Sequence, residues 1–322
     1  MKIFVTGGNG FIGSRVVAAA LARGDEVRCL LRASSRTTRI DGLSWERHLG
    51  DVTDRASLEA GMRGCDAVVH LASLSSWAQI RSPQMREVVV GGTENVLAAA
   101  RAVGGIKVLF VSSGTAVQGT EEPRVLDETA TWDMDREIFL YAAAKHDAEQ
   151  VCARYAAEGL HVVTVNPCEV YGPNDDDLIT AANLVDILKG WPALAVEGGT
   201  AVSHVDDIAR GILGGLDRGR SGERYILGGE NITVRQLVEL TLEIAGQKKW
   251  VLQLPNGLVK GAVNAMAKLG LPTPVIPDVL DYACLYWWVD SGKAARELGY
   301  TWRPPKEVLT PAIQWLRETG KV

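Results

Sequence analysis

Tyr141 and Lys145 stand four residues apart in Tyr141-Ala142-Ala143-Ala144-Lys145. On a helix that spacing puts both side chains on one face, one turn apart. A free phenol ionises near pH 10, too high for proton transfer at neutrality. An ammonium beside it favours the phenolate and lowers that value, so the pair is a candidate acid–base. Lys145 is also able to hold a cofactor ribose. A reacting oxygen needs a further donor, and Ser112 or Ser113, at the end of the run Lys107–Ser112, supplies a hydroxyl. Such a pair also occurs by chance on surface helices. Its weight comes from what accompanies it.

A glycine turn accompanies it. Thr6-Gly7-Gly8-Asn9-Gly10-Phe11-Ile12-Gly13 follows the strand pattern of Lys2–Thr6 and precedes the Ala-rich helical pattern of Ser14–Arg23. Glycines at 7, 10 and 13 let the backbone turn tightly, and they let a pyrophosphate reach the amides and dipole of a helix N-terminus. Between Arg28 and Arg39 there are four Arg and no acid. A carboxylate in that region suits the ribose hydroxyl of NAD, and cations suit the 2′-phosphate of NADP. Arg32 and Arg36, with the hydroxyls of Ser34 and Ser35, fit that phosphate, so NADP(H) is expected over NAD(H). The bland alternative is a solvated basic loop. Asp51 and Val52 follow the third strand, where the carboxylate either accepts from the adenine amino group or caps a helix starting at Thr53. His70 is followed by Leu71, Ala72 and Ser73, small enough to pass close under the cofactor.

These residues need a scaffold. Short apolar runs at Lys2–Thr6, Glu26–Leu31, a short strand ending at Leu49, Ala67–Leu71, Lys107–Ser112 and His161–Val165 alternate with helical patterns, of which Met85–Val103 and Tyr141–Glu158 are the longest. Strict alternation predicts an α/β fold with a doubly wound parallel sheet covered on both faces. After Pro167 the alternation is expected to stop, as Gly, Pro and Trp become frequent. The predicted division is a dinucleotide-binding domain over 1–165 and a smaller, mostly substrate-binding domain over 166–322, with returns to the sheet near 200–228.

The chain resembles the extended short-chain dehydrogenase/reductase family, the superfamily of the epimerases and dehydratases. TGGNGFIG, the Asp51-Val52 pair, HLAS, VSSGT and YAAAK stand in the family's order and spacing. Pro167–Pro173 is similar to its PxxVYGP segment, His204–Ala209 to its HVDDIA segment, and the likeness runs to DSGKAARELGY at 290–300. The resemblance implies a Rossmann fold and hydride transfer between nicotinamide C4 and an oxygen-bearing carbon. Tyr141 would then be the general acid–base, Lys145 the ribose anchor, and Ser113 the donor to the reacting oxygen, with Ser112 its competitor. Pro167 and Val170 would pass beside the nicotinamide. Where such relatives often carry Asn, this chain has Val89.

Within that family the chain is similar to the branch of dihydroflavonol reductases. Sugar-nucleotide members commonly carry Arg four residues before the His of HVDD, and here that position is Thr200, with no cation between Lys189 and Arg210. Trp77, Trp132, Trp191, Trp287 and Trp288 suit an apolar pocket, although any one of them can be core. The expected activity is NADPH-dependent reduction of a hydrophobic ketone or aldehyde, or the reverse oxidation. The alternatives are a nucleotide-sugar epimerase or dehydratase with bound NAD, and a non-catalytic NADP sensor.

Composition removes other classes. With 322 residues, 47% hydrophobic, 23% charged and a net charge of −5, the chain is an ordinary globular one without the basic face of a nucleic-acid binder. Five Cys without a CxxC pair and five scattered His give no disulfide framework and no metal site. The apolar stretch from Val251 to Leu285 is broken by Pro255, Lys260, Lys268, Pro272, Pro274, Pro277 and Asp278, so no membrane span is expected. A strand at Lys2 leaves no room for a signal peptide, and a cytoplasmic enzyme is expected. Asp175, Asp176 and Asp177 read as a solvated loop. The helices Met85–Val103 and Tyr141–Glu158 allow a homodimer.

Overall fold

The computed structural model describes residues 1–273 and 276–322. Pro274, one of the expected interruptions, lies outside the described residues. Strand β1 (Lys2–Thr6) runs into α1 (Phe11–Ala22), followed by β2 (Glu26–Leu31), β3 (Glu46–Leu49), α2 (Arg55–Met62) and β4 (Ala67–His70). One continuous helical stretch then has three parts: α3 (Gln84–Arg86), a π-helical turn (Glu87–Gly91) and α4 (Gly92–Ala102). β5 (Lys107–Val111), α5 (Leu140–Ala157) and β6 (Val162–Pro167) come next. The remainder comprises β7 (Val170–Tyr171), α6 (Ala181–Lys189), β8 (Ala193–Val196), β9 (Gly199–His204), α7 (Val205–Arg218), β10 (Arg224–Leu227), β11 (Glu230–Thr233), α8 (Val234–Ala245), β12 (Val251–Leu254), α9 (Asn256–Lys268), α10 (Pro277–Ala283), α11 (Gly292–Leu298) and α12 (Pro305–Glu318).

Seven strands form a parallel sheet in the order β10-β6-β5-β4-β1-β2-β3. The order reverses between β1 and β4, the place where open α/β sheets take ligands at the carboxyl ends of their strands. The sheet is apolar on both faces because strand side chains alternate. Ile3 and Val5 pack with α1, α7 and α11, whereas Phe4, Val68 and Phe110 pack with α2, α4 and α5. This is the doubly wound parallel sheet expected from the alternation and the Rossmann arrangement that the resemblance implies.

The alternation does not stop at Pro167. α7 and α11 cover the sheet, and β10 returns as its seventh strand beside β6. α7 escaped the sequence pattern because Gly211, Gly214 and Gly215 lower its helix propensity. The three glycines permit close packing. Added Cβ atoms would meet Tyr300 at 2.8 Å, the Leu298 carbonyl at 2.7 Å and Leu109 at 2.8 Å. β9 belongs elsewhere, in a three-stranded sheet of order β11-β9-β7, and β12 pairs with β8 in a separate ribbon.

The HVDD segment ties these parts together. His204 caps α7, its Nδ1 accepting from the Asp206 amide at 3.1 Å. Asp207 is fully buried and accepts from the Arg303 amide at 3.0 Å, with the Arg210 and Arg303 guanidiniums also on it. Buried carboxylates persist where several donors hold them. Asp207 so pins α7 to the segment entering α12.

Candidate active site

The glycine turn is built for close backbone approach. Gly7 has φ +71°, and a Cβ there would lie 2.8 Å from the Ala72 nitrogen; a Cβ on Gly13 would lie 2.0 Å from the Gly7 carbonyl oxygen. No side chain caps α1, and its first turn carries no acid. The leading amides of that helix therefore have no side-chain acceptor, which is the donor set a pyrophosphate requires. Ala72 and Leu71 sit beside the turn through bonds from their amides to the Thr6 hydroxyl and carbonyl, both at 3.1 Å. Phe11 and Ile12 are half-buried against the core on the α1 side.

The four arginines of the 28–39 stretch divide into two pairs. Arg28 donates to the Gly61 carbonyl at 2.6 Å and pairs with Glu46 at 2.8 Å. Arg39 crosses to the loop after β7, pairing with Asp176 at 3.2 Å and Asp177 at 2.9 Å and donating to the Asn174 carbonyl at 2.9 Å. Arg32 and Arg36 are exposed and form no ion pair among the described residues. Ser35 is engaged in the turn, its hydroxyl accepting from the Arg32 amide at 3.1 Å.

Several placements differ from expectation. Asp51 does not cap a helix: it accepts from the amide and hydroxyl of Thr53 at 2.9 and 2.8 Å, while Asp54 caps α2. Val52 is buried against Gly92, where an added Cβ would meet it at 2.9 Å. The acidic run is a solvated loop only in part, with Asp176 and Asp177 exposed and Asp175 not. Asp175 is buried and accepts from the amides of Ile179, Thr180 and Ala181 at 3.0, 3.1 and 2.9 Å, while Asp176 and Asp177 hold Arg39. Met85–Val103 is not a uniform α-helix, because the π turn interrupts it, with Val89 buried inside that turn. Trp191 does not line a pocket and is 71% exposed. Pro167 ends β6, and Val170 is buried in β7, where its carbonyl accepts from Thr180.

Tyr141 is half-buried at the start of α5, where Ser113 and Ser73 present their hydroxyls to its phenol. Burial pushes the phenol up to about 12, and the two hydroxyls pull it the other way. The Ser73 hydroxyl stands beside the phenol without a formed hydrogen bond among the described residues, and the Ser113 oxygen accepts from the Thr115 amide and hydroxyl at 3.2 and 3.0 Å. Ser112 is turned elsewhere: its hydroxyl donates to Glu149. Of the two serines only Ser113 faces the phenol.

Lys145 is 2% exposed, donates to the Val111 carbonyl at 2.9 Å and lies 4.9 Å above the Phe110 ring. Burial lowers its pKa to about 8, and Glu149 acts to raise it. Glu149 is a residue that the sequence reading overlooked. It is buried and receives Ser112, the Asn166 amide at 2.6 Å and Arg224 at 3.4 Å. The same Asn166 amide donates to the Ser113 carbonyl at 2.9 Å. The available signal was spacing: Tyr141, Lys145 and Glu149 recur every four residues along one helix face.

An aromatic cluster borders the N-terminus of α5. Tyr282 is central, with Trp77 and Phe139 edge-on at 5.1 Å and Trp287 stacked at 5.5 Å. The Tyr282 hydroxyl accepts from the Ala142 amide at 3.2 Å, next to Tyr141. Trp132 stacks on His146 at 4.9 Å. Trp288 is engaged in the small sheet, its indole donating to the Ile232 carbonyl at 3.0 Å.

A profile of the "NAD dependent epimerase/dehydratase family" matches residues 3–228. The chain belongs to that family. It is an NAD(P)-dependent oxidoreductase by that membership. A ketoreductase from Stigmatella aurantiaca, "4-hydroxy-2-methyl-3-oxo-4-farnesyl-3,4-dihydroquinoline-1-oxide ketoreductase", is 32% identical over 99% of this chain and 97% of its own. Dihydroflavonol 4-reductase of Zea mays is 27% identical over 74% of this chain and 72% of its own. The crystal structure of a DesIV double mutant, a dTDP-glucose 4,6-dehydratase from Streptomyces venezuelae with NAD and DAU bound, has a TM-score of 0.79 at 27% identity, covering 99% and 97% of the two chains.

His70, which the sequence marks only as the residue before Leu71-Ala72-Ser73, carries a buried hydrogen-bond network. The Thr93 hydroxyl donates to the Val89 carbonyl at 2.6 Å, so it accepts from His70 Nε2–H at 3.1 Å. His70 Nδ1 then accepts from the Thr6 hydroxyl at 2.6 Å, whose oxygen receives the Ala72 amide. This chain of bonds demands the neutral Nε2–H tautomer, and burial lowers the imidazole pKa to about 3. The unfolded imidazole takes up its proton near 6.5, so this site's stabilisation is full above that pH and is lost as pH falls from about 6.5 towards 3. The His70 ring signals in NMR should show a fixed Nε2–H tautomer with no titration between pH 5 and 8; a titrating His70 resonance in that window contradicts the assignment.

Proposed function

We propose that the protein is an NADPH-dependent reductase of a small-to-medium hydrophobic ketone or aldehyde, or the dehydrogenase of the corresponding alcohol. The observation that carries this is the half-buried Tyr141 phenol, faced by Ser113 and Ser73, with buried Lys145 one turn along the same helix. When bound, the dinucleotide supplies or takes the hydride. Ser113 donates a hydrogen bond to the carbonyl oxygen. Tyr141 gives its proton to the same oxygen as it becomes an alkoxide. A phenol that burial keeps protonated is ready to donate at neutral pH, which favours reduction. For oxidation Tyr141 must accept a proton, and the Lys145 ammonium stabilises the phenolate it needs.

The dinucleotide would be held by the α1 amides and Gly7, Gly10 and Gly13 at the pyrophosphate, with Phe11 and Ile12 behind them. Arg32 and Arg36 would take the 2′-phosphate, Asp51 and Val52 the adenine side, and Leu71, Ala72 and Ser73 the floor. Lys145 would take the nicotinamide ribose, with Pro167 and Val170 beside the ring. Ser112 acts through Glu149 and so positions the β5 end. Trp77, Phe139, Tyr282 and Trp287 offer an apolar wall to the substrate. A homodimer through α4 and α5 would meet charged surfaces, because Arg154–Glu94 at 2.6 Å and an Arg101–Glu158 pair clamp these two helices within one chain.

The NAD-bound dehydratase of similar fold keeps a second reading open, a sugar-nucleotide enzyme retaining NAD. Against it, Thr200 is buried in β9 and supplies no charge for a diphosphate. A sensor would have no use for Tyr141 with Lys145. The purified protein should take up and release NADPH, and consume it at 340 nm with a hydrophobic ketone panel; NAD that copurifies and does not exchange would favour the sugar-nucleotide reading. Tyr141→Phe should lower kcat by about 10²–10⁴-fold, and unchanged turnover would remove Tyr141 from the mechanism. Arg32→Ala with Arg36→Ala should raise KM for NADPH by roughly tenfold or more while leaving NADH unaffected.

The pH profile separates chemistry from architecture. Reduction should slow as pH rises through about 8, where Lys145 loses its proton. Glu149 favours the charged lysine, so Glu149→Gln should move that decline to lower pH. A variant that merely loosened the fold would lower kcat at every pH without moving the decline.

A further inference from the structure

Among the described residues, fourteen large apolar side chains are exposed, and eight of these fall between Trp191 and Ile276. Seven of the eight lie on or next to the β8–β12 ribbon and α9, which follows it, and Ile276 precedes α10. In the ribbon Ala193 and Ala195 are buried, whereas Leu194 and its cross-strand partner Leu252 are 49% and 45% exposed. Trp191 and Trp250 precede the two strands at the same end, 71% and 83% exposed. The Ala193 amide donates to the Trp250 carbonyl at 3.0 Å and holds that end together. Asn256 fastens α9 to the other end, bonding the Glu197 amide and carbonyl at 2.9 and 2.7 Å. Val263 is the one buried residue of α9, and Leu258 within it and Leu269 and Leu271 beyond it are exposed. Large apolar groups held open to water in this density mark a contact surface.

The charge of the same segment is opposite to that of the protein. Residues 246–273 contain Lys248, Lys249, Lys260 and Lys268 with no Asp, Glu or Arg, in a chain of net charge −5. Lys249 is engaged with the Ile187, Leu188 and Gly190 carbonyls, and Lys260 pairs with Asp281 at 3.0 Å. Lys248 and Lys268 are exposed and form no ion pair among the described residues. Indole rings and leucines interspersed with free ammonium groups match the headgroup zone of an anionic bilayer: the indoles lie at the interface, the leucines reach the acyl boundary, and lysines meet lipid phosphate. A second copy docked face to face would bring together two surfaces of the same positive sign.

We propose that the β8–β12 ribbon and α9 form a docking surface for an anionic lipid bilayer, on which the protein lies without crossing it. No helix of the described residues is long and apolar enough to cross a membrane, in keeping with a surface mode. The surface adjoins the catalytic cleft. α9 packs on α10 through Val263, Leu280 and Cys284, and α10 carries the Tyr282 that bonds the Ala142 amide.

Cosedimentation of the full chain with vesicles tests this. Vesicles of phosphatidylglycerol with phosphatidylcholine should retain the protein, and pure phosphatidylcholine should retain it at least about tenfold less. Added salt should release it progressively. Lys248→Glu with Lys268→Glu, and separately Trp250→Ser, should each weaken retention by about tenfold or more while leaving turnover of a soluble ketone unchanged. The charge variant alters exposed side chains only, so its folding is not in question. Failure to sediment with anionic vesicles, or equal retention of all variants, overturns the proposal. So does a dimer in analytical ultracentrifugation that Trp250→Ser dissolves while vesicles capture nothing, since that assigns the surface to a second copy.

Discussion

An ammonium taken almost wholly out of water sets the terms for everything around it. Lys145 lies among strand ends with one carbonyl and one aromatic face as immediate partners. Desolvation of such a charge costs several kcal/mol, about what an uncompensated buried ion would need to lose its proton. Glu149 offsets that cost from one turn further along α5, and Glu149 must itself be satisfied. Ser112 on the β5 edge, Asn166 at the end of β6 and Arg224 at the start of β10 do this. Three neighbouring strands and one helix are so registered by the needs of two opposite charges. Because the Asn166 amide also holds the Ser113 carbonyl, the backbone carrying the serine that faces Tyr141 is part of the same compensation.

A second polar cluster does comparable work between the other strands. Thr6 on β1, His70 on β4 and Thr93 on α4 share one chain of hydrogen bonds with a single consistent proton arrangement. It contains no charge, and its contribution is directional. The glycine turn and the Ala72 segment approach so closely that a methyl group on Gly7 cannot be accommodated. The Thr6 hydroxyl bonding the Ala72 amide holds that approach in register. The Thr6–His70 cluster straddles the switch in strand order between β1 and β4, under the expected phosphate end of the site, and the Lys145–Glu149 cluster lies on the β5 side of it, under the reacting end.

Much of this was legible in the chain wherever the signal is short. The alternation of strands and helices to residue 165 depends on contiguous runs, and the glycine turn and the Tyr141–Lys145 spacing lie within single turns. Parts that depend on distant segments were not legible. Arg39 reads only as a further cation of the basic stretch until the fold brings Asp176 and Asp177 to it. The cation that helps to hold Glu149 buried is not local, because Arg224 is 75 positions away. The local pattern does not mark α7 as a helix, since nothing local reveals that its glycines lie against Tyr300, Leu109 and the Leu298 carbonyl. Trp191 reads as a pocket residue on composition alone, and only the ribbon geometry turns it outwards.

The bare N-terminus of α1 has a thermodynamic consequence. A helix whose leading amides lack a side-chain acceptor is finished by whatever anion occupies the turn. A ligand that binds only the folded chain stabilises it by RT ln(1 + [L]/Kd), which is about 2.7 kcal/mol at a hundredfold excess over Kd. The resistance of this protein to unfolding is thus a property of its nucleotide supply as well as of its own packing, and its lifetime in a cell should rise and fall with that supply.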